Sequence, residues 1–426
     1  MGDIKVFSKP SGQNGIAVIM VALTLFLMIG FAALAVDVSY LFVAKNELQN
    51  AADAGALAGA RVLYESNGQM ININANQTAY DAAVVNLSAG TPVEVEWTGG
   101  NAGDVQRGHW SFGLGDLPRG FYPNPSDAVV DLWNTTDEEL DGNIDFINSV
   151  RVVARRKTVP VVSFFSKIFG HESFELSADA VAYLGFAGTL TPWDLDAPLA
   201  ICSQSILVDE TYSCSIGRMI NSGSNPATHQ TGGWTNMSQE DACSGGTNAS
   251  EVKNLVVQAC SADGINPQML YLGENIATNG GEIQSAFNEL YECWASKTGK
   301  ATTWNLTLPV IDCPGQNVGP CEKITGAVNL NIIWIEDKGN KIDDDAPFHM
   351  DDWNAADDPA VTDINDGSQR WSSFVNHFNL QNSDGTPAPF AQKSIYFKPD
   401  CTPHEPAGVS GGANYGILAK VPVLVE

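Results

Sequence analysis

The strongest pattern along the chain is a run without polarity. From Ile16 to Val36 the sequence reads IAVIMVALTLFLMIGFAALAV, in which only Thr24 is polar, and no charge falls between Lys9 and Asp37. An α-helix of this length, at about 1.5 Å per residue, is about 30 Å long, the thickness of a bilayer core. A cleaved secretory signal would have a shorter apolar part, about 7 to 15 residues, followed by small residues. Ala33 and Ala35 offer such an ending, so cleavage stands as the alternative to a retained anchor. The helical pattern continues past the membrane edge. DVSYLFVAKNELQNAADAGALAGARVLY has no Pro, and no Gly before Gly55, so the spacing predicts one helix from about Gly15 to Tyr64. Lys5 and Lys9 before the span and Asp37 after it predict a cytoplasmic N-terminus and an exported bulk.

Beyond the span, Leu48, Ala51 or Ala52, Gly55, Gly59 and Val62 recur at three- and four-residue spacing, giving one helix face of mostly small side chains. Gly55 and Gly59 let another backbone come close. Ala51, Gly55 and Gly59 are therefore read as helix-packing residues, either against the protein's own globular part or against a partner helix.

Residues 75–88 read as a short helix ended by Gly90-Thr91-Pro92. Alternating or β-branched stretches at 93–97, 109–114, 148–159 and 172–184 read as strands. Arg151, Arg155, Arg156 and Lys157 form the only basic cluster; in a strand Arg151 and Arg155 share a face, which predicts pairing with nearby acids. A Gly- and Pro-containing junction at 185–198 leads into two helices, 250–264 and 282–299, and three strands, 328–336, 393–399 and 415–426. No internal repeat is present. The expected fold class is α+β: a long N-terminal transmembrane helix continuing into an extracytoplasmic helix, a β-rich module, and a disulfide-bearing, β-rich C-terminal domain. The expected parts are a cytoplasmic tail (1–14), the membrane helix (15–36), its extension (37–64), an α+β module (65–186) and a Cys-rich acidic domain (187–426).

Composition sharpens this picture. With 426 residues the chain has room for two or three compact units. Hydrophobic residues at 44% and charged residues at 17% are too apolar for a disordered chain and too poor in charge for a coiled coil. The net charge of −27 argues against nucleic acid or an anionic lipid surface as the main partner, since both need cationic patches. Most of it, −18 from 11 basic and 29 acidic side chains, lies in residues 187–426. All eight cysteines (Cys202, Cys214, Cys243, Cys260, Cys293, Cys313, Cys321 and Cys401) lie there too. They show no Cys-x-x-Cys spacing and no His placed to complete a zinc site, so they read as disulfides formed in an oxidising compartment, with buried free thiols as the alternative. Cys313 and Cys321 flank PGQNVGP, a loop whose Pro and Gly residues could fold tightly, and are the preferred pair.

The N-terminal residues also carry a resemblance. A short basic tail, then a span ending in GFAALAVDVSYLFVAKNELQNAADAGALAGA, resembles the TadE/TadG-like proteins of the tight-adherence (Tad/Flp) pilus system, above all the membrane-anchored TadG-like members. Ser149 to Leu184, a strand, a Pro-led amphipathic turn ending at Gly170 and a second strand, looks like the remainder of a Tad-like module. Processed members of the wider pilin class carry Glu five residues after the cleaved Gly; after Gly15 that position is Met20, so no prepilin-peptidase processing is expected. The von Willebrand A metal motif found in longer relatives is not matched by Asp37-Val38-Ser39-Tyr40-Leu41, which fails at its last position. The resemblance implies a bacterial inner-membrane location and pilin-like or other Tad-system membrane proteins as partners.

Catalytic constellations are weak. Gly408-Val409-Ser410-Gly411-Gly412 matches G-x-S-x-G, but no His and Asp follow Ser410 as a hydrolase of that kind requires. His109, His171, His229, His349, His377 and His404 form no i, i+4 pair, and no phosphate-cradling Gly-rich loop occurs, so no nucleotide is expected. Calcium is the one ligand the acids invite: Asp137, Glu139, Asp141 and Asp145 follow an EF-hand-like spacing, although Asn148 stands where a bidentate Glu is needed. The acidic run from Glu336 to Asp366 reads as a solvated loop. The leading expectation is a non-enzymatic, single-pass component of a pilus-assembly system whose small-residue helix face packs on pilin-like partners. The alternatives are a membrane-tethered adhesin or calcium-dependent binding module and, third, an unrecognised secreted hydrolase.

Overall fold

A computed structural model describes residues 14–426, apart from 66, 67, 69, 134, 209, 210, 222–231, 240–246, 262, 263, 267, 282, 314–317, 339, 340, 383, 384 and 403–405. Lys5, Lys9, Cys243, His229, His404 and most of the loop between Cys313 and Cys321 lie outside the described residues.

The long helix forms without a break where the apolar run ends, as α1 (Asn14–Arg61). Its two halves live in different surroundings. Residues 15–36 are exposed on every side apart from the partly covered Ala33, whereas Leu48, Ala51, Ala52, Ala56 and Ala60 are fully buried. A helix apolar all round needs an apolar solvent, and one with a single buried stripe needs a protein partner. The partner here is the chain itself: α2 (Ala75–Val84) and a sheet close over the buried stripe. Helix α2 stops short of the expected residue 88, because the side-chain amide of Asn86 turns back onto the carbonyls of Ala82 and Ala83.

That sheet is built from β1 (Val105–Ser111), β2 (Gly120–Pro123), β3 (Ser149–Val162) and β4 (Ser173–Tyr183), in the order β4-β3-β1-β2, all antiparallel. Along β3, Val150, Val152 and Ala154 turn into the core and Arg151, Val153 and Arg155 turn away, the two-residue period of a half-buried strand. The expected pairing of the basic face is present: Arg151 meets Asp179 at 2.7 Å, and Arg155 grips both oxygens of Asp104. The expected strand at 93–97 is reduced to a single bridge between Glu94 and Arg155. Glu94 instead spends its carboxylate on the backbone N–H groups of Thr158 and Val159, at 2.7 and 2.8 Å, where β3 bulges.

A short ladder leads onward, β5 (Phe186–Thr189). The second unit is a sheet that closes on itself. Strands β6 (Leu199–Cys202), β8 (Gly232–Thr235), β9 (Asn275–Asn279), β10 (Trp304–Asp312) and β11 (Cys321–Glu336) form a ring, since β10 pairs with both β6 and β11. The long strand β11 then runs on to pair with β12 (Ser394–Pro399), which in turn pairs with β7 (Arg218–Asn221). Helices α4 (Ala249–Ser261), α5 (Gln284–Thr298) and α6 (Gly367–Phe378) pack around it. Trp294 stacks edge-on against Trp334, Trp334 against Phe374, and Phe374 against Trp353, forming an aromatic spine in the core.

The C-terminal end of the chain, expected as a strand of the second unit, returns to the first. Strand β13 (Val409–Gly412) pairs with β5, and β14 (Val423–Leu424) adds to the free edge of β4. Leu418 and Ala419 belong to the core beneath α1.

Three disulfides are placed among the described residues: Cys202–Cys313, Cys214–Cys401 and Cys260–Cys293. Cys321 is disulfide-bonded as well, but the preferred Cys313–Cys321 pair does not form. Cys313 follows β10 directly and faces Cys202 at the end of the parallel neighbour β6, with Cα atoms 5.4 Å apart. The ring closure that sets this neighbour cannot be read from the spacing of cysteines along the chain.

Candidate functional site

The most constructed feature outside the hydrophobic cores lies where α1 leaves its apolar segment. Asp37, the first charge after the span, is only 2% exposed. Its carboxylate accepts hydrogen bonds from the backbone N–H of Phe164 (2.8 Å), Phe165 (3.0 Å) and Ser166 (2.6 Å), and from the Ser166 hydroxyl (2.7 Å). Four donors on one carboxylate hold the tip of the β3–β4 hairpin against the helix. One turn on, Tyr40 packs edge-to-face on Phe164, with ring centroids 5.1 Å apart. The tip itself is a 3₁₀ turn, Ser166–Phe169, ended by Gly170 at φ 86°, a left-handed value that glycine adopts without strain. The sequence marked Asp37 as the membrane exit; its partners 127 or more residues away carried no signal.

The small-residue face was one of two open readings, and its expected use on pilin-like partners is corrected. Ala51 is fully buried. A Cβ on Gly55 would stand 2.9 Å from the Ala79 carbonyl oxygen and 3.2 Å from Val152. One on Gly59 would stand 2.7 Å from Ala79 Cβ and 3.0 Å from Val150. The close backbone approach that the glycines allow is already taken by α2 and β3.

The four acids with EF-hand-like spacing do not converge. Asp137 accepts from the backbone N–H of Asn414 at 3.0 Å, and Glu139 closes a capping box with Thr136 on α3 (Asp137–Asp141). Asp145 accepts from the amide of Asn124. Asp141 faces inward and takes hydrogen bonds from Phe112 N (2.6 Å), Leu114 N (2.7 Å) and the Ser111 hydroxyl (3.0 Å), with Gly115 N more distant. Among the described residues no three His, Cys, Asp or Glu side chains gather as a metal would need. Calcium coordination by Asp137, Glu139, Asp141 and Asp145 is therefore replaced by a structural role for each: carboxylates that already bind N–H groups, pointing in different directions, leave no shared oxygen cage.

Burial opposes the charge on Asp141, but the N–H groups of Phe112 and Leu114, the Ser111 hydroxyl and Gly115 N outweigh it and hold the carboxyl below the usual carboxylate range. A lowered folded-state pKa contributes stability that is present above the ordinary Asp value of about 4 and is lost as pH falls through the folded value. Thermal unfolding of wild type and Asp141→Asn is thus expected to differ most at neutral pH and to converge below about pH 4. A gap that stays constant down to pH 3 would contradict this role.

Asp137 differs: burial raises its pKa, and the hydrogen bond from Asn414 only partly offsets it. It lines a cleft of about 350 Å³ at the junction of the two units, together with Phe112, Leu114, Phe146, Tyr183 and Gly412. Ser410 of the G-x-S-x-G match lies nearby as a brace, its hydroxyl accepting from Gly185 N and donating to the Val421 carbonyl. His109 is fully buried, with its ring nitrogens 2.8 Å from the carbonyl oxygens of Phe146 and Asp141. The acidic run keeps most of its carboxylates in solvent, as expected, yet its backbone is pinned: buried Arg370 donates to the carbonyls of Asp343, Ala346 and Ile364 and stacks on Phe348.

These features define an α+β protein with, among the described residues, two large sheets, disulfides in its C-terminal region and one N-terminal helix long and apolar enough to cross a membrane. Residues 15–62 match the family described as Flp pilus-assembly TadE/G-like, and residues 58–182 match the family described as Tad-like Flp pilus-assembly. The N-terminal part of the chain, residues 15–182, is thus TadE/TadG-like, and these matches cover α1, α2 and most of the first sheet. No curated protein and no solved structure matches it.

Proposed function

We propose that this chain is a non-enzymatic, single-pass component of a Tad/Flp-type pilus-assembly system. It sits in the bacterial inner membrane through Ile16–Val36, with a cytoplasmic N-terminus and its bulk in the periplasm or at the cell surface. The observation that carries the reading is α1: one unbroken helix, apolar on all faces before Asp37 and buried along one face in its own α+β unit from Ala44 on. A rod of this kind holds a folded body at fixed height and orientation above a bilayer. The family matches support the pilus system as its setting, and the disulfides favour an oxidising compartment. Because Gly55 and Gly59 are engaged internally, contacts with other pilus-assembly membrane proteins fall to the span within the bilayer and to the outer faces of the two units.

The test is topological. With an epitope tag after Glu426, the protein is expected to stay with membranes through alkaline carbonate extraction and to lose the tag when protease is added to spheroplasts. Release by carbonate would overturn the anchor, and a tag protected until the membrane is lysed would overturn the orientation.

A further inference from the structure

The β3–β4 hairpin is longer than the sheet it belongs to. Strand β1 covers β3 only from Ser149 to Val152, after which, among the described residues, no further strand lies beside β3 apart from the bridge at Glu94. It runs opposite to α1: Val150 lies against Gly59, Val152 against Gly55, and Phe164 against Asp37 and Tyr40. The hairpin therefore descends along the helix toward the apolar segment, and its tip stops level with Asp37, the first residue after that segment.

What the tip carries at that level is unlike a solvated turn. Val162, Phe164, Ile168 and Phe169 are 66%, 52%, 76% and 77% exposed, and the sequence across the turn has one cation, Lys167, and no acid. The turn holds two phenylalanines and an isoleucine outward, beside a buried carboxylate, Asp37. On α1, Val38, Phe42 and Val43 are exposed beside the same level. The Lys167 stem is long enough to keep its ammonium among phosphates while the neighbouring rings lie deeper.

We propose that the hairpin tip, residues 162–169, is a second membrane contact: it inserts Phe164, Ile168 and Phe169 into the headgroup–acyl boundary of the leaflet from which α1 emerges. The occupant of this apolar surface is lipid, because the surface is continuous with the span and fixed to its end by Asp37. Two contacts, one through the bilayer and one lateral to it, fix the rotation of the exported body about α1 as well as its height. The inference rests on the reading of Ile16–Val36 as a bilayer span.

Photocross-linking of the full-length chain in phosphatidylcholine nanodiscs separates the two. Three single variants, Phe169→p-benzoylphenylalanine, Phe26→p-benzoylphenylalanine and Tyr271→p-benzoylphenylalanine, probe the tip, the span and an exposed site on the second unit. Ile168→p-benzoylphenylalanine serves as a second probe of the tip. Lipid adducts at 169 and 168 as well as at 26, with none at 271, are expected. Adducts at 26 but none at 168 or 169 would overturn the hairpin contact and leave the anchor standing; none at any position would overturn both. In native membranes, adducts at 169 that are mainly to another protein would replace lipid by a protein partner and overturn the proposal.

Discussion

Gly59→Leu is expected to destabilise the first unit by about 3 kcal/mol, at the upper end of overpacking effects in a close-packed interior. The first added carbon alone would lie 2.7 Å from Ala79 Cβ, 3.0 Å from Val150 Cγ1 and 3.2 Å from the Ala75 carbonyl oxygen. Two of those neighbours belong to the α2 helix and the third to β3, so no single side chain can swing aside to make room. Better helix propensity returns less than about 1 kcal/mol, well under the overlap. Gly30→Leu is the matched control, since nothing lies within 4 Å of a Cβ there. Near-UV circular dichroism during heating in detergent should show an earlier transition for Gly59→Leu and none of that shift for Gly30→Leu. Equal melting of the two would mean that α1 does not pack on its own unit, and would restore the partner-helix reading of Ala51, Gly55 and Gly59.

The second large effect belongs to the ring of strands. Removing the Cys202–Cys313 bridge with the double variant Cys202→Ala and Cys313→Ala is expected to cost about 4 to 5 kcal/mol if chain entropy dominates, because the bridge spans 111 residues. The Cys260–Cys293 bridge spans 33 residues and should cost about 1 kcal/mol less on the same account. Both sulfur atoms of the first pair are sealed in the core, each residue being 0% exposed, so the alanines also leave a small void. Denaturant titration of the two double variants orders them directly; a larger loss from Cys260 and Cys293 would show that native packing, and not loop closure, governs these bridges. Such a dependence ties the second unit to an oxidising compartment, in keeping with its proposed place outside the cytoplasm.

How far the sequence led depends on the range of the interaction involved. The continuous α1, the paired strands around Arg151 and Arg155 and the helices around Cys260 and Cys293 are written in local periodicity, and all appear close to their expected bounds. The direction in which the Gly55 face packs was not legible, because a small-residue stripe is the same whether the approaching backbone is foreign or its own. The EF-hand-like spacing misled for a related reason: α3 turns Asp141 inward onto Ser111 and Phe112 while Glu139 turns back on Thr136, and spacing alone does not say where carboxylates point. The Cys313 partner, the closure of β10 onto β6 and the hold of Asp37 on the hairpin tip all join segments more than 100 residues apart. No window along the chain contains both halves of any of them.

The return of the chain through β13 and β14 has a mechanical meaning. The ring of strands leaves the first unit by β5 and comes back by β13, and these two crossing segments are hydrogen-bonded to each other. A load placed on the second unit is therefore carried by two tethers side by side, and it reaches α1 through β4 and β14, whose ladder lies beside the helix. A single linker would let the second unit swivel and dissipate a pull as slack. The double crossing joins the second unit to the first at two hydrogen-bonded points, which restrains twisting of one against the other.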